Sequence, residues 1–315
     1  MRLLEIHAED RFSLVNDADR DFPPYAILSH TWGRNDEEVT FGDLVGDAGK
    51  NKLGFRKLLF CAKQAWNDGL RFFWVDTCCI DKTSSSELSE AINSMFRWYQ
   101  KAAKCYAYLS DVSVGDHRRA GLPPEQSWQR SFRNSRWFTR GWTLQELLAP
   151  VSVEFFSAEG QRLGSKNSLV RELHDITGIP VQALRGHPLN QFGIEERMQW
   201  ARGRNTGREE DMAYSLLGIF NVCIPLIYAE GRKSALSRLR KAIHDAAENV
   251  DHTYLSASQI DILERRRATQ SVESAWEKML KSRKESGKCF NCGRNYHWED
   301  SCPKPCGRCI VPIMI

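Results

Sequence analysis

The 315 residues, 42% hydrophobic and 10% aromatic, are enough to bury a full core in one large domain or two smaller ones. No apolar run approaches the roughly 18 residues of a membrane helix, and Met1-Arg2-Leu3-Leu4-Glu5 lacks the apolar stretch of a signal peptide, so a cytoplasmic protein with no membrane partner is expected. The net charge is +4, but residues 251–315 carry 11 Lys/Arg against 8 Asp/Glu, which leaves the body near neutral and without a basic nucleic-acid footprint.

Tyr25-Ala-Ile-Leu-Ser29 follows Pro23-Pro24 and reads as a buried strand opening into the polar loop His30-Thr-Trp-Gly33. Strand ends are where α/β folds place their chemistry. Between Lys50 and Trp66, Phe55, Leu58, Leu59, Ala62, Ala65 and Trp66 keep helical spacing, and Asp68-Gly69 stops the helix. Phe72-Phe-Trp-Val75 is apolar on both faces, as central parallel strands are, and Asp76-Thr-Cys-Cys-Ile-Asp-Lys82 is its exit. Ser84-x-x-Glu87 reads as a capping box for a helix with Leu88, Ile92, Met95, Phe96 and Tyr99 on its apolar face. Cys105-Tyr-Ala-Tyr-Leu109 is a third strand.

Ser135-Arg-Trp-Phe-Thr-Arg-Gly-Trp-Thr-Leu-Gln-Glu-Leu-Leu-Ala-Pro150 is the stretch around which the chain is organised. Helical spacing sets Trp142 and Glu146 one turn apart, Pro150 ends the helix, and 151–156 is a strand. Alternating strands and helices predict a parallel α/β sheet with helices on both faces. Taken alone, a helical Glu one turn from a Trp is usually a solvated or capping residue. By the same logic His30 reads as a hydrogen-bonded loop histidine, Cys78-Cys79 as small buried residues, and Arg208-Glu-Glu-Asp211 as a charged helix start with a structural role. Helices are expected at 168–176, 194–201, 212–220 and 232–247, and a polar linker after them.

Five of the ten cysteines crowd the last 27 residues. Cys289-x2-Cys292-x4-His297-x4-Cys302 has the spacing of a CCHC zinc knuckle, in which two thiolates of a tight turn are joined by His297 and Cys302 around Zn2+. Phe290 and Trp298 stand where such knuckles stack bases, so single-stranded nucleic acid is an expected partner. Tyr296 replaces the glycine common before the histidine, and Glu299-Asp300 adds negative charge. Cys306-x2-Cys309 is a further pair with no assigned role.

Residues 25–33, 73–82 and 136–150 together resemble the three hallmark blocks of the fungal heterokaryon-incompatibility (HET) domain, and 204–220 with 224–231 is similar to the segment that commonly succeeds those blocks in that family. The resemblance implies an effector of non-self recognition and cell death. It also implies a flavodoxin-like sheet related to Toll-type receptor (TIR) domains. Trp142-Thr-Leu-Gln-Glu-Leu147 is similar to the TIR helix bearing the catalytic glutamate of NAD-cleaving members, with Thr143 in place of the usual cysteine. By that resemblance Glu146 would be catalytic and NAD the substrate. Ser29, His30, Thr31, Trp32, Gly33, Arg136, Arg140 and Trp142 would surround it, with Ser29, Thr31, the Gly33 amide and an arginine as phosphate donors.

The expected organisation is a TIR-like domain at 1–160, a helical extension at 161–248, a linker at 249–288 and the knuckle at 289–309. Self-association and an activating protein are expected partners. Two other readings stay open: a non-enzymatic self-associating scaffold, and a nucleic-acid-binding protein acting through its tail.

Overall fold

The computed structural model describes residues 1–8, 11–16, 23–115 and 124–249. One compact unit spans Met1–Ala246; a second, Ala247–Ile315, lies outside the described residues apart from its first three. The strands are β1 (Arg2–Ala8), β2 (Arg11–Asn16), β3 (Tyr25–His30), β4 (Phe72–Trp74), β5 (Lys104–Tyr108), β6 (Val153–Phe156) and β7 (Arg162–Ser165). The helices are α1 (Phe41–Val45), α2 (Phe55–Asn67), α3 (Ser85–Lys101), α4 (Pro124–Arg133), α5 (Thr143–Leu148), α6 (Val170–Thr177), α7 (Val181–Leu184), α8 (Ile194–Gln199), α9 (Asp211–Tyr214), α10 (Leu217–Phe220) and α11 (Gly231–Asn249).

The strands form a single sheet in the order β2-β1-β4-β3-β5-β6-β7. β3 pairs parallel with β4 and β5, and β5 with β6, which gives the expected parallel centre. Antiparallel strands flank it: β1 and β2 on one side, β7 on the other. These three carry no strict polar alternation, and β1 buries Leu3, Leu4 and Ile6 in a pattern that sequence periodicity alone does not resolve. All six residues of β3 are buried, because the strand has neighbours on both edges and cover on both faces. Strand order reverses at β3, with β4 on one side and β5 on the other, and such reversals open a crevice beyond the carboxyl ends of the strands.

The helices follow their apolar faces. α2 buries Leu58, Cys61, Ala62 and Ala65, and α3 buries Ala91, Ile92, Met95 and Tyr99, both at helical spacing. Ser84 caps α3 by accepting from the Glu87 amide, but the reciprocal arm of the expected capping box is absent. Glu87 instead accepts from the Asp81 amide and pairs with Arg2, tying β1 to the loop after β4. The complete capping box is Thr40 with Asp43 on α1.

Residues 135–150 are not one helix. A 3-10 turn at Arg136–Thr139 precedes α5, and the chain between them pairs with the segment around Asn205: Gly141 N–H donates to Asn205 O and Asn205 N–H to Thr139 O. That exchange claims the Gly141 N–H and the Thr139 carbonyl, which a continuous helix would use itself. A Cβ on Gly141 would lie 2.5 Å from Thr206 Cγ2, so the approach requires glycine.

Candidate active site

Glu146 lies on α5, among the side chains lining a cleft of about 490 Å³ at the β3 reversal. The helix has six residues, all buried, and Glu146 itself is 8% exposed. Ser29 Oγ, in β3, donates to Glu146 Oε2 at 2.5 Å, and Trp137 Nε1 donates to Ser29 Oγ at 2.8 Å. Burial pushes the carboxyl up to about 8, against the Ser29 hydrogen bond, which favours the charged form. Near neutral pH Glu146 is thus mostly a carboxylic acid. The indole serving Glu146 is Trp137, through Ser29; Trp142, one turn away, points its N–H at Asp211 instead.

One side of the cleft comes from the ends of β3 and β4. His30 Nε2 meets Asp76 Oδ1 at 3.0 Å, and Trp32 Nε1 donates to Asp76 Oδ2 at 2.8 Å. Burial raises the Asp76 carboxyl, but the His30 hydrogen bond and charge, with Lys82 nearby and the Trp32 N–H, outweigh it and hold the group well below the usual carboxylate range. Lys82 Nζ lies 3.7 Å above the Trp32 ring, and the Arg140 guanidinium stands 5.6 Å from the same ring. Gly33 N–H donates to Glu38 Oε1 at 2.6 Å, and Lys57 Nζ bridges Glu38 and the Thr31 carbonyl. This buried pair fixes the loop that carries Trp32.

The opposite side comes from the later helices. Asp211, at the start of α9, accepts from Trp142 Nε1 at 3.2 Å and from the Tyr228 hydroxyl at 3.1 Å. Burial raises its carboxyl despite both donors. Arg208 lies 4.1 Å over the Tyr228 ring. Asp211 opens α9 as the expected charged helix start, and both it and Arg208 also line the cleft.

Two buried cations hold α5. Arg204 donates to the Arg140 carbonyl and Thr143 Oγ1 at one end, and Lys166 Nζ donates to the Leu147 and Pro150 carbonyls at the other. Burial depresses both, Arg204 to about 10 and Lys166 to about 8. The Lys166 contact satisfies the Leu147 carbonyl, one of those that the end of a short helix leaves open.

The structure brings His30, Trp32, Gly33, Arg140, Trp142 and Glu146 to one cleft. Ser29 and Thr31 are buried and do not line it; Ser29 reaches it only through Glu146, and Thr31 Oγ1 lies 3.5 Å from Ser110 Oγ. The Gly33 amide is taken by Glu38, and Arg136 lies beside Asp111 with its side chain 66% exposed. Of the expected phosphate donors, Arg140 alone lines the cleft with a side chain able to donate. Asp76, Lys82, Tyr99, Arg208, Asp211 and Tyr228 were not read as site residues; Asp76 just past a parallel strand was the one legible signal. Cys78 and Cys79 are buried as expected, and burial pushes the Cys78 thiol far up. The proposed zinc ligands Cys289, Cys292, His297 and Cys302, with Phe290 and Trp298, lie outside the described residues. Among the described residues no helix is long and apolar enough to cross a membrane.

The family model described as heterokaryon incompatibility protein (HET) matches residues 25–122, which include β3, β4, β5 and the His30–Gly33 loop. The chain is also similar to the vegetative incompatibility protein HET-E-1 of Podospora anserina, at 59% identity over 244 residues, 77% of this chain and 18% of that protein. Together these findings support the heterokaryon incompatibility family. The chain spans less than a fifth of the relative's length. No solved structure matches it.

Proposed function

We propose that this chain is the effector part of a heterokaryon-incompatibility protein and that its cleft hydrolyses NAD, with Glu146 as the catalytic group. The observation that carries the reading is the Glu146 carboxyl, the most buried of the three on the cleft wall, hydrogen-bonded to Ser29 and flanked by aromatic residues. The finer fold assignment belongs to the same proposal. Counted in chain order, the parallel strands run 2-1-3-4, which agrees with the flavodoxin-like order, and the antiparallel β7 takes the next place.

In the reaction, the bond between the nicotinamide nitrogen and ribose C1′ breaks and its electron pair neutralises the pyridinium ring. Water adds to C1′ and one proton is released. The transition state is oxocarbenium-like, so a carboxylate facing C1′ stabilises the developing charge. Glu146 is largely protonated in the free protein, and a cationic nicotinamide ring beside it favours the ionised form. Substrate binding and loss of the Glu146 proton are therefore coupled.

The test is nicotinamide release from NAD by the purified chain at high protein concentration, beside Glu146→Gln. Release by wild type and its loss in the folded variant is the expected result. No release at any protein concentration favours the self-associating scaffold instead, and equal release by both folded proteins rejects Glu146 as the catalytic group. Association with further copies and with an activating protein belongs to this proposal. Zinc binding by Cys289, Cys292, His297 and Cys302 is proposed on the donor set and its spacing.

A further inference from the structure

Three cations of the cleft share an arrangement that the catalytic proposal does not use. Lys82, Arg140 and Arg208 all line the cavity, and among the described residues none of their side chains donates a hydrogen bond or forms an ion pair within 4 Å. Each is set instead against an aromatic ring: Lys82 and Arg140 on Trp32, Arg208 on Tyr228. A ring face holds a cation by its quadrupole without consuming the N–H donors, so the charges are positioned while their hydrogen-bonding capacity stays open.

The acids of the cleft are in the opposite condition. Asp76 is occupied by His30 and Trp32, Asp211 by Trp142 and Tyr228, and Glu146 is mostly neutral near pH 7 and bonded to Ser29. Carboxylate acceptors are thus engaged within the protein, whereas three charged donor groups are left for something else. The cations also outnumber the ionised acids of the cleft, three against Asp76 and Asp211. A guanidinium fork and an ammonium together suit the oxygens of a phosphate chain.

We propose that Lys82, Arg140 and Arg208 form a rim that binds the pyrophosphate of a nucleoside-diphosphate-containing ligand, Lys82 and Arg140 from the Trp32 side and Arg208 from the Tyr228 side. The inference rests on reading the cleft as the NAD site, and assigns the part of the dinucleotide remote from the bond that breaks. It replaces the strand-end donors Ser29, Thr31 and the Gly33 amide, which are engaged elsewhere.

Calorimetric titration of the full chain with ADP-ribose, and with adenosine as the phosphate-free comparator, tests it. Lys82→Gln and Arg208→Gln are the variants, and Lys233→Gln, an exposed cation of α11 that does not line the cleft, is the control. Both test residues are exposed, so far-UV circular dichroism and thermal midpoints should match wild type. Each test variant should weaken ADP-ribose about tenfold, the loss of one charge-assisted contact, with the control unchanged. Wild-type affinity for ADP-ribose should fall between 50 and 300 mM salt, while adenosine binding should not depend on salt or on the variants. Unaltered ADP-ribose affinity in both test variants, an equal loss in the control, or no ADP-ribose binding by wild type overturns the proposal. Tight, variant-sensitive ADP-ribose binding without nicotinamide release from NAD upholds the rim and rejects hydrolysis. Nicotinamide release with a KM indifferent to Lys82→Gln and Arg208→Gln does the reverse.

Discussion

Glu146→Gln replaces a titratable carboxyl by a carboxamide of nearly the same shape, which makes the pH dependence of stability its sharpest readout. In the unfolded chain Glu146 gives up its proton near 4.5; in the native chain burial delays this to about 8. Between those values the unfolded state binds fewer protons than the native state, so stability falls as pH rises. The favourable contribution of the protonated carboxyl is complete below pH 4.5, declines through the interval and levels off above about 8. At about 1.4 kcal/mol per pH unit, the span from pH 5 to pH 8 amounts to roughly 4 kcal/mol. Glutamine keeps the volume and an oxygen for the Ser29 hydroxyl but does not titrate. Urea unfolding monitored by tryptophan fluorescence at pH 5, 6.5 and 8 should therefore place the variant close to wild type at pH 5 and several kcal/mol above it at pH 8. Stability profiles that stay parallel across this range would mean that Glu146 ionises normally, and burial would not govern the acid of the cleft.

The same titration should govern catalysis: kcat/KM for NAD is expected to rise between pH 6 and 8 with an apparent pKa at or below about 8, and a profile flat over that range contradicts a carboxylate mechanism. Ser29→Ala removes the hydroxyl shared by Trp137 and Glu146, so it should cost about 1–3 kcal/mol in urea unfolding and move the rising limb of that profile to higher pH. Gly218 sits against the side chain of Phe96 where α10 meets α3, so Gly218→Ala should cost about 1–3 kcal/mol, seen as a lowered thermal midpoint. Elemental analysis of the full chain should find one zinc per molecule, lost in Cys289→Ser with Cys292→Ser; zinc retained by that double variant would refute the ligand set.

Where a residue's neighbours are close in sequence, or its period is fixed by one buried face, the reading from sequence held. β3, β4, α2 and α3 are legible for this reason, since Tyr25–Leu28 and Leu58, Cys61, Ala62 and Ala65 each carry their own pattern. The antiparallel flanks were not, although β1 pairs with β2 and β7 with β6 close in sequence, because these strands carry no strict alternation to mark them. The pairing of Thr139 and Gly141 depends on Asn205 reaching back from a distant segment, which no local pattern shows. Glu146 and Trp142 could be named as a pair, yet their hydrogen-bond partners Ser29 and Asp211 come from distant segments, and no spacing rule connects them. Burial also reversed the expectation of a solvated glutamate, since a helical Glu shows its environment only when the strand behind it is in place.

The clamping of α5 by Arg204 and Lys166 bears on how much chain the cleft needs. A fragment ending with β6 keeps the four parallel strands but loses both cations, the Asn205 pairing and the whole Asp211–Tyr228 wall. Such a fragment retains every residue matched by the family model and the Ser29 contact to Glu146, but neither cation that holds the ends of α5. In chain order Glu146 comes early, whereas Lys166, Arg204 and the wall through Tyr228 are made only afterwards. Until then the nascent chain carries Glu146 without the opposite wall of the cleft, a delay written into the order of the sequence.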